Sequence, residues 1–324
     1  MTDHRPNIEH AWYQTHRIEV VEILKRKLET KTYEPKPLRT FIVYEPKKRE
    51  VQAPSIADKI VQNLLVDEGL YEELTKPFIT DTYSSVKGRG TLFGLNRLKK
   101  FMAEAYRQYG SDCWVLKCDI RKFFASINQD DILLKAKRYV SDPDVFVLLE
   151  KYIRAIPSGL ALGLRTSQPL ANLELSWMDH KIKEYYKCKW YGRYSDDFFI
   201  IHHDKEELRS IKNYLTDDLN SVGLEFNDKT QIFPLAHGID CLGFRTYLTD
   251  DGKVIRQVRD RSRQKMNRKL GHYIVAYREG TITKRKIDAS YGSWRNGHAK
   301  HGNCGGLIEK YDKKYERIFL PENK

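Results

Sequence analysis

The run KWYGRYSDDFFIIHHD, residues 189–204, restricts this chain more than any other segment. Aromatic and β-branched residues on both sides of a small acidic segment predict a β-hairpin with Ser195-Asp196-Asp197 at or near its tip. Asp favours turns, so adjacent aspartates in a turn are commonly only structural. Here the pair adjoins Phe198-Phe199-Ile200-Ile201. An unpaired charge beside so apolar a strand is expensive, and a bound cation is the natural compensation. A third acid, Asp119, closes another strand-like run, WVLKCDI (114–120). Strands laid side by side would bring the three carboxylates within a few ångströms. Two-metal phosphoryl transfer needs such a cluster, because convergent carboxylates hold two divalent cations about 3.5–4 Å apart. Mg²⁺ prefers one or two carboxylates plus substrate oxygens, so a sparse acidic cluster suffices.

The rest of the chain alternates between helix and strand patterns. Residues 9–31 read as an amphipathic helix with Ile18, Val21, Ile23, Leu24 and Leu28 apolar, stopped by Tyr33-Glu34-Pro35. FIVYEPKKREVQA reads as a hairpin turning at Pro46-Lys47-Lys48. Residues 55–74 form a second helix with Ile56, Ile60, Leu64 and Leu65 on one face. Residues 168–187 and 205–221 are helical, with Gly223 at a C-cap position. LEFND and CLGFRTYL read as two further strands, and the last 70 residues as helical and basic. The sum is a compact α+β protein with a basic C-terminal module.

Charge points to the partner. A net charge of +13 suggests a polyanion, since phosphates bind basic surfaces with release of counterions. Between Lys253 and Lys269 stand eight basic residues and one acid, Asp260. A solvated helix face normally mixes signs, whereas this stretch suits a phosphate backbone. Arg256, Arg259, Arg261, Arg263, Lys265, Arg268 and Lys269 are the candidate nucleic-acid contacts. No apolar run approaches the ~20 residues of a membrane span. MTDHRPNIEH carries no apolar signal core, and five scattered cysteines without a CxxC pair suit a reducing cytoplasm. The ten histidines show no metal spacing.

These motifs, in this order, resemble those of reverse transcriptases. Tyr194-Ser195-Asp196-Asp197 is similar to the family's YxDD box, and Cys118-Asp119-Ile120-Arg121-Lys122-Phe123-Phe124 to its first catalytic box. LEFNDKTQI resembles the later box that carries a lysine, Lys229, and CLGFRTY the primer-grip strand. VYEPKKREV and TYSSVKGRGT fall where the family has fingers motifs. One YxDD is a weak signal, but six ordered boxes are a strong one. GLALGLRTSQPLANLELSWMDHKI, with an aliphatic residue, Gly, three residues and Ser-Gln, is similar to the enzymes of diversity-generating retroelements, as is the tail YGSWRNGHAKHGN. One departure is Val86-Lys87, where relatives often have Arg-Pro. It leaves room for an antiphage-defence reverse transcriptase that copies its own non-coding RNA.

The resemblance implies a right-hand polymerase fold: N-terminal helix and fingers over 1–110, palm over 111–250, and a basic helical thumb over 251–324. It implies an RNA-directed DNA polymerase of the prokaryotic cytoplasm using two Mg²⁺ ions, or Mn²⁺. Its partners would be a structured RNA template, the cDNA product, dNTPs and a small basic helical accessory protein. Asp119, Asp196 and Asp197 would hold metal, helped by the backbone carbonyl of Ile120. Phe124 would lie under the incoming sugar and exclude a 2′-hydroxyl, with Phe123 the core aromatic. Lys48, Arg49 and Arg89 would meet the triphosphate, although Lys48 reads equally well as part of an exposed turn. Lys229 would protonate pyrophosphate, or be a solvated strand-end lysine. Leu162 and Gly163 would lie at the nascent base pair. Gln168 would contact the nucleotide or, with Ser167 and Asn172, orient the following helix. Trp294 and His298 read as packing or RNA-facing residues rather than catalysts.

Overall fold

The computed structural model describes residues 8–44 and 48–320. Among the described residues nine strands form three sheets: β1 (Arg39–Val43) and β2 (Arg49–Ala53); β3 (Trp114–Cys118), β4 (Trp190–Tyr194), β5 (Asp197–His202) and β6 (Gln231–Pro234) in the order β4-β5-β3-β6; and β7 (Ile239–Cys241), β8 (Phe244–Leu248) and β9 (Val254–Val258). With the helices between them, they make the expected α+β architecture. The chain interleaves two compact units. One holds residues 1–90, 117–198 and 210–230; the other holds 91–116, 199–209 and 231–324.

In the first unit, β1 and β2 pair antiparallel from Arg39↔Ala53 to Val43↔Arg49. Two of the three residues read as their turn, Pro46 and Lys47, lie outside the described residues. The first helix read from sequence is broken at His16 into Ile8–Thr15 and Arg17–Glu29. Its buried face is Val20 and Leu24, whereas Ile18 is 83% exposed and Val21 and Ile23 are also exposed. The second helix runs Ile56–Leu64 and continues through a π-helical segment, Leu65–Leu70. Ile60 and Leu64 are exposed there, and Ala57, Asp58, Val61 and Gln62 face inward. Apolar content alone misassigned both faces, because polar partners draw the second helix in. Ser55 caps it by accepting from the Asp58 backbone N–H at 3.1 Å. The buried Asp58 carboxylate accepts from Tyr33 Oη at 2.5 Å.

In the second unit, β8 pairs antiparallel with β7 and with β9. CLGFRTYL is therefore two strands, with Leu242-Gly243 turning at positive φ between them. The segment Val254–Val258 is a strand as well, so the helical basic tract starts only at Asp260. LEFND is not a strand. It makes a single bridge, Ile120↔Phe226, and the strand comes later, at Gln231. Helices Asp260–Arg278, Lys284–Gly297 and Gly305–Glu316 close this unit. Met266, Leu270 and Tyr273 recur at helical spacing and bury against Ile287, Tyr291, Trp294 and Tyr311. Trp294 stacks on Tyr311 at 5.1 Å, and its Nε1–H donates to Ser262 Oγ at 3.2 Å. His298 lies half-buried against Phe244, and burial first, then the charges of His301 and Arg259, hold its pKa below the usual imidazole value. Both are packing residues. All five cysteines are buried free thiols. Among the described residues no helix is long and apolar enough to cross a membrane.

Candidate active site

The site is built on two strand ends. Ser195-Asp196 joins β4 to β5, and a two-residue connection forces the strands antiparallel. Ser195 takes a left-handed φ of +58°, which reverses the chain at the tip. Phe198 to Ile201 are all buried, so β5 is covered on both faces and its apolar run needs no alternation. Asp119 follows β3, which is hydrogen-bonded beside β5.

The Asp196 carboxylate feels the charge of Asp119. Burial first, then the charge of Asp119, push the Asp196 carboxyl above the ordinary carboxylate value. Its own backbone N–H, Arg49 and Lys117 oppose that rise. A repelling, partly desolvated pair with only oxygen donors is a site that suits Mg²⁺ or Mn²⁺. Asp197 has a different partner, an ion pair with Lys117 of β3. Among the described residues no three acidic, histidine or cysteine side chains form a metal-holding group.

Asp119 is itself held in place. Its carboxylate accepts from the Asn227 side-chain amide, and its carbonyl accepts from the Asn227 backbone N–H at 2.9 Å. Its own N–H reaches Thr230 Oγ1 at 3.5 Å. Ile120 is buried and bridged to Phe226. Lys229 is exposed, and its backbone N–H donates to Asn227 Oδ1 at 2.8 Å, placing it one step from the Asp119 support. Lys122, at φ +46°, turns the chain into the short helix Phe123–Ser126. Phe123 is buried, and Phe124 stands half-exposed edge-on to it at 5.6 Å.

Arg49 starts β2 and reaches Asp196 electrostatically; Lys48 is exposed beside it. Arg89 instead donates through Nη1 to the carbonyls of Ile79 and, at 3.0 Å, Thr82, so it braces its own loop. It lines a hollow of about 410 Å³ together with Lys87, Arg165 and Gln168. Leu162 is 38% exposed. At Gly163 the close approach is to the protein: a Cβ there would lie 1.8 Å from the carbonyl oxygen of Gln52.

The basic tract is not one surface. The Arg256 guanidinium is partly buried, bonded to Asn96 at 3.2 Å and set over Phe244. Arg259 lies 3.5 Å from Asp240, and Arg263 pairs with Asp260. Lys265 and Lys269 are half-buried, and Arg261 and Arg268 stand exposed two turns apart on one helix face. A strand and a helix present their side chains at different periods, so a linear count of charges overstates the contiguous patch.

Sequence reasoning passed over Lys117 and Asn227. Lys117 was findable: it lies two residues before Asp119, hence on the same face of a strand. Asn227 carried no local signal, since its partner is 108 residues away.

A model of the family described as reverse transcriptase (RNA-dependent DNA polymerase) matches residues 35–246, more than half of the chain. The chain is 26% identical over 275 residues to protein YkfC of Escherichia coli (strain K12), covering 69% of this chain and 70% of that one. It is 22% identical over 278 residues to a protein ascribed to COX1/OXI3 intron 1 in Saccharomyces cerevisiae, covering 66% of this chain and only 32% of the yeast protein. Among solved structures, telomerase from Candida albicans in complex with the TWJ fragment of telomeric RNA superposes with a TM-score of 0.51 at 13% identity. That match covers 95% of this chain and 61% of the telomerase chain, and it shows the expected right-hand polymerase fold. The chain belongs to the reverse transcriptase family of RNA-dependent DNA polymerases.

Proposed function

We propose that the chain copies RNA into DNA at the site formed by Asp119, Asp196 and Asp197. The observation that carries this reading is the placement of Asp119 and Asp196 at the ends of neighbouring strands, where the charge of Asp119 helps to raise the Asp196 carboxyl. These two would hold the divalent ions, with the Ile120 carbonyl as a helper, and Asp197 would be a further ligand if not paired with Lys117. Bound there, Mg²⁺ supplies charge neutralisation for the triphosphate and eases ionisation of the attacking hydroxyl. Arg49, with Lys48 beside it, draws the triphosphate, while Arg89 braces its own loop; Phe124 bars a 2′-hydroxyl; Lys229 returns a proton to pyrophosphate. Fingers occupy 1–110, palm 111–250, and thumb 251–324, where Arg261 and Arg268 grip RNA. The test is primer extension on an RNA template by Asp196→Ala with Asp197→Ala. Extension disappears while circular dichroism and RNA affinity stay within twofold of wild type. Wild-type extension by the double variant refutes the assignment.

The finer reading is a diversity-generating retroelement enzyme, working in the cytoplasm of a prokaryote with a small basic helical accessory protein. It is supported by the Leu162–Gln168 motif and by the exposure of Leu162. Leucine offers shape but no hydrogen bond to the nascent pair, so fidelity there rests on pairing and stacking. Leu162→Gln lowers misincorporation opposite template adenine by about tenfold, the worth of roughly one net hydrogen bond. Sequencing of cDNA made by both proteins measures it. Accurate copying of adenine by the wild-type protein replaces this reading with antiphage defence.

A further inference from the structure

Arg193 lies in β4, two residues before Ser195, and is fully buried. A guanidinium has five N–H donors, and all five are used here. Nε and Nη2 grip the buried Asp179 carboxylate at 2.7 and 2.5 Å. Nη1 donates to the carbonyl of Ser195 at 2.9 Å and to Asn172 Oδ1 at 3.2 Å; Nη2 also reaches the Asn172 carbonyl at 3.2 Å. Asp179 further accepts from Tyr191 Oη and from Thr82 Oγ1 at 2.7 Å, and the Asn172 amide donates to the Ser84 carbonyl at 2.6 Å. The Arg193 backbone bonds to Asp81 and Tyr83, both at 2.9 Å.

Charge neutralisation explains only the two bonds to Asp179. A buried ion pair is a poor source of net stability, so the other three bonds call for a separate reason. The Ser195 carbonyl belongs to the peptide that enters Asp196, and Ser195 is held at a left-handed φ that L-residues resist. Fixing that carbonyl fixes the plane from which the Asp196 side chain departs. Asn172 lies in the helix Ser167–Glu174, which also carries Gln168. We propose that Arg193 is a positioning residue: it aims Asp196 through the Ser195 carbonyl and, through Asn172, locks the helix bearing Gln168 to the same turn.

This rests on Asp119 and Asp196 holding metal, and Asp196→Ala judges that premise separately by Mn²⁺ titration followed by electron paramagnetic resonance. Retained Mn²⁺ affinity in Asp196→Ala sinks the premise; lost affinity there leaves Arg193 to be judged alone. Arg193→Lys keeps the charge opposite Asp179 but not the fork. We expect it to bind Mn²⁺ about tenfold more weakly and to lose about tenfold or more in kcat, with KM for template–primer within twofold, as the loss of one or two bonds dictates. A folded Arg193→Lys protein with wild-type Mn²⁺ affinity and kcat overturns the proposal. If that variant does not fold, Asn172→Ala and Asn172→Asp decide. The alanine variant should lose severalfold in kcat, and the aspartate, which keeps the acceptor facing Arg193 but loses the donor to the Ser84 carbonyl, should recover part of it. Equal kcat in wild type and the alanine variant, or equal losses in both variants, overturns it.

Discussion

Gly163→Ala isolates the role of the close approach between the Leu162-Gly163 loop and strand β2. The new Cβ would lie 1.8 Å from the Gln52 carbonyl oxygen and 2.7 Å from its carbon, both backbone atoms that no rotamer change moves aside. Real contacts of this kind are essentially never under 3.0 Å, so loop and strand must separate by at least about 1.2 Å. Overpacking of this kind costs about 1–3 kcal/mol. With an unfolding entropy near 2.1 cal/mol/K per residue, that lowers Tm by roughly 2–4 °C in a chain of 324 residues. The β1–β2 hairpin is largely exposed and carries Arg49, so part of the strain should appear as its displacement. A shift near 1 Å at a positioning element costs up to ~100-fold in rate, and kcat/KM for dNTP should fall at least tenfold. Differential scanning fluorimetry and steady-state extension read the two effects. Gly271→Ala is the control, because nothing lies within 4 Å of its Cβ. A helix interior gains up to ~1 kcal/mol from alanine. A Gly163→Ala protein with Tm within 1 °C of wild type and unchanged kcat/KM would refute the reasoning.

Two further outcomes follow from the electrostatics. Because the folded-state pKa of Asp196 is raised, its ionisation destabilises the fold, and stability falls as pH rises from the ordinary carboxyl value through the raised one. Asp196→Asn should therefore be more stable than wild type at pH 7 in chelator, with the gap closing below pH 4; a less stable variant at pH 7 contradicts the cause given for the shift. Changing exposed Arg261 and Arg268 to Gln should reduce the slope of log RNA affinity against log salt by roughly 0.7–0.9 per lost phosphate contact. Arg256→Gln, with its guanidinium bonded to Asn96, should leave the slope unaltered.

Local signals were legible and non-local ones were not. The Tyr194–Asp197 hairpin, the strand leading into Asp119 and the helix Lys205–Ser221 all stand where periodicity and turn chemistry put them. Helix faces misled wherever a polar group won the inside, as Asp58 does through Ser55 and Tyr33. LEFND has strand composition yet serves Asp119 through Asn227, a contact set by tertiary placement. An arginine inside WYGRY was a legible warning, since a charge in a buried strand demands partners. Its partners Asp179 and Asn172 lie on helices that no local rule connects to it.

The interleaving of the two units bears on how the chain comes off the ribosome. The unit that holds the aspartates needs residues up to Thr230, and the chain leaves it twice before then, through 91–116 and 199–209. Helices and the β1–β2 hairpin form from local contacts as they emerge, but β3 must wait some 80 residues for β5. Until then an apolar strand edge stays open, which is the condition under which nascent chains stick to one another. Neither unit exists as a contiguous stretch of sequence, so no single cut in the gene separates them: any fragment that holds all of one unit also carries part of the other. For such a chain, yield depends on synthesis speed and chaperone supply as well as on final stability.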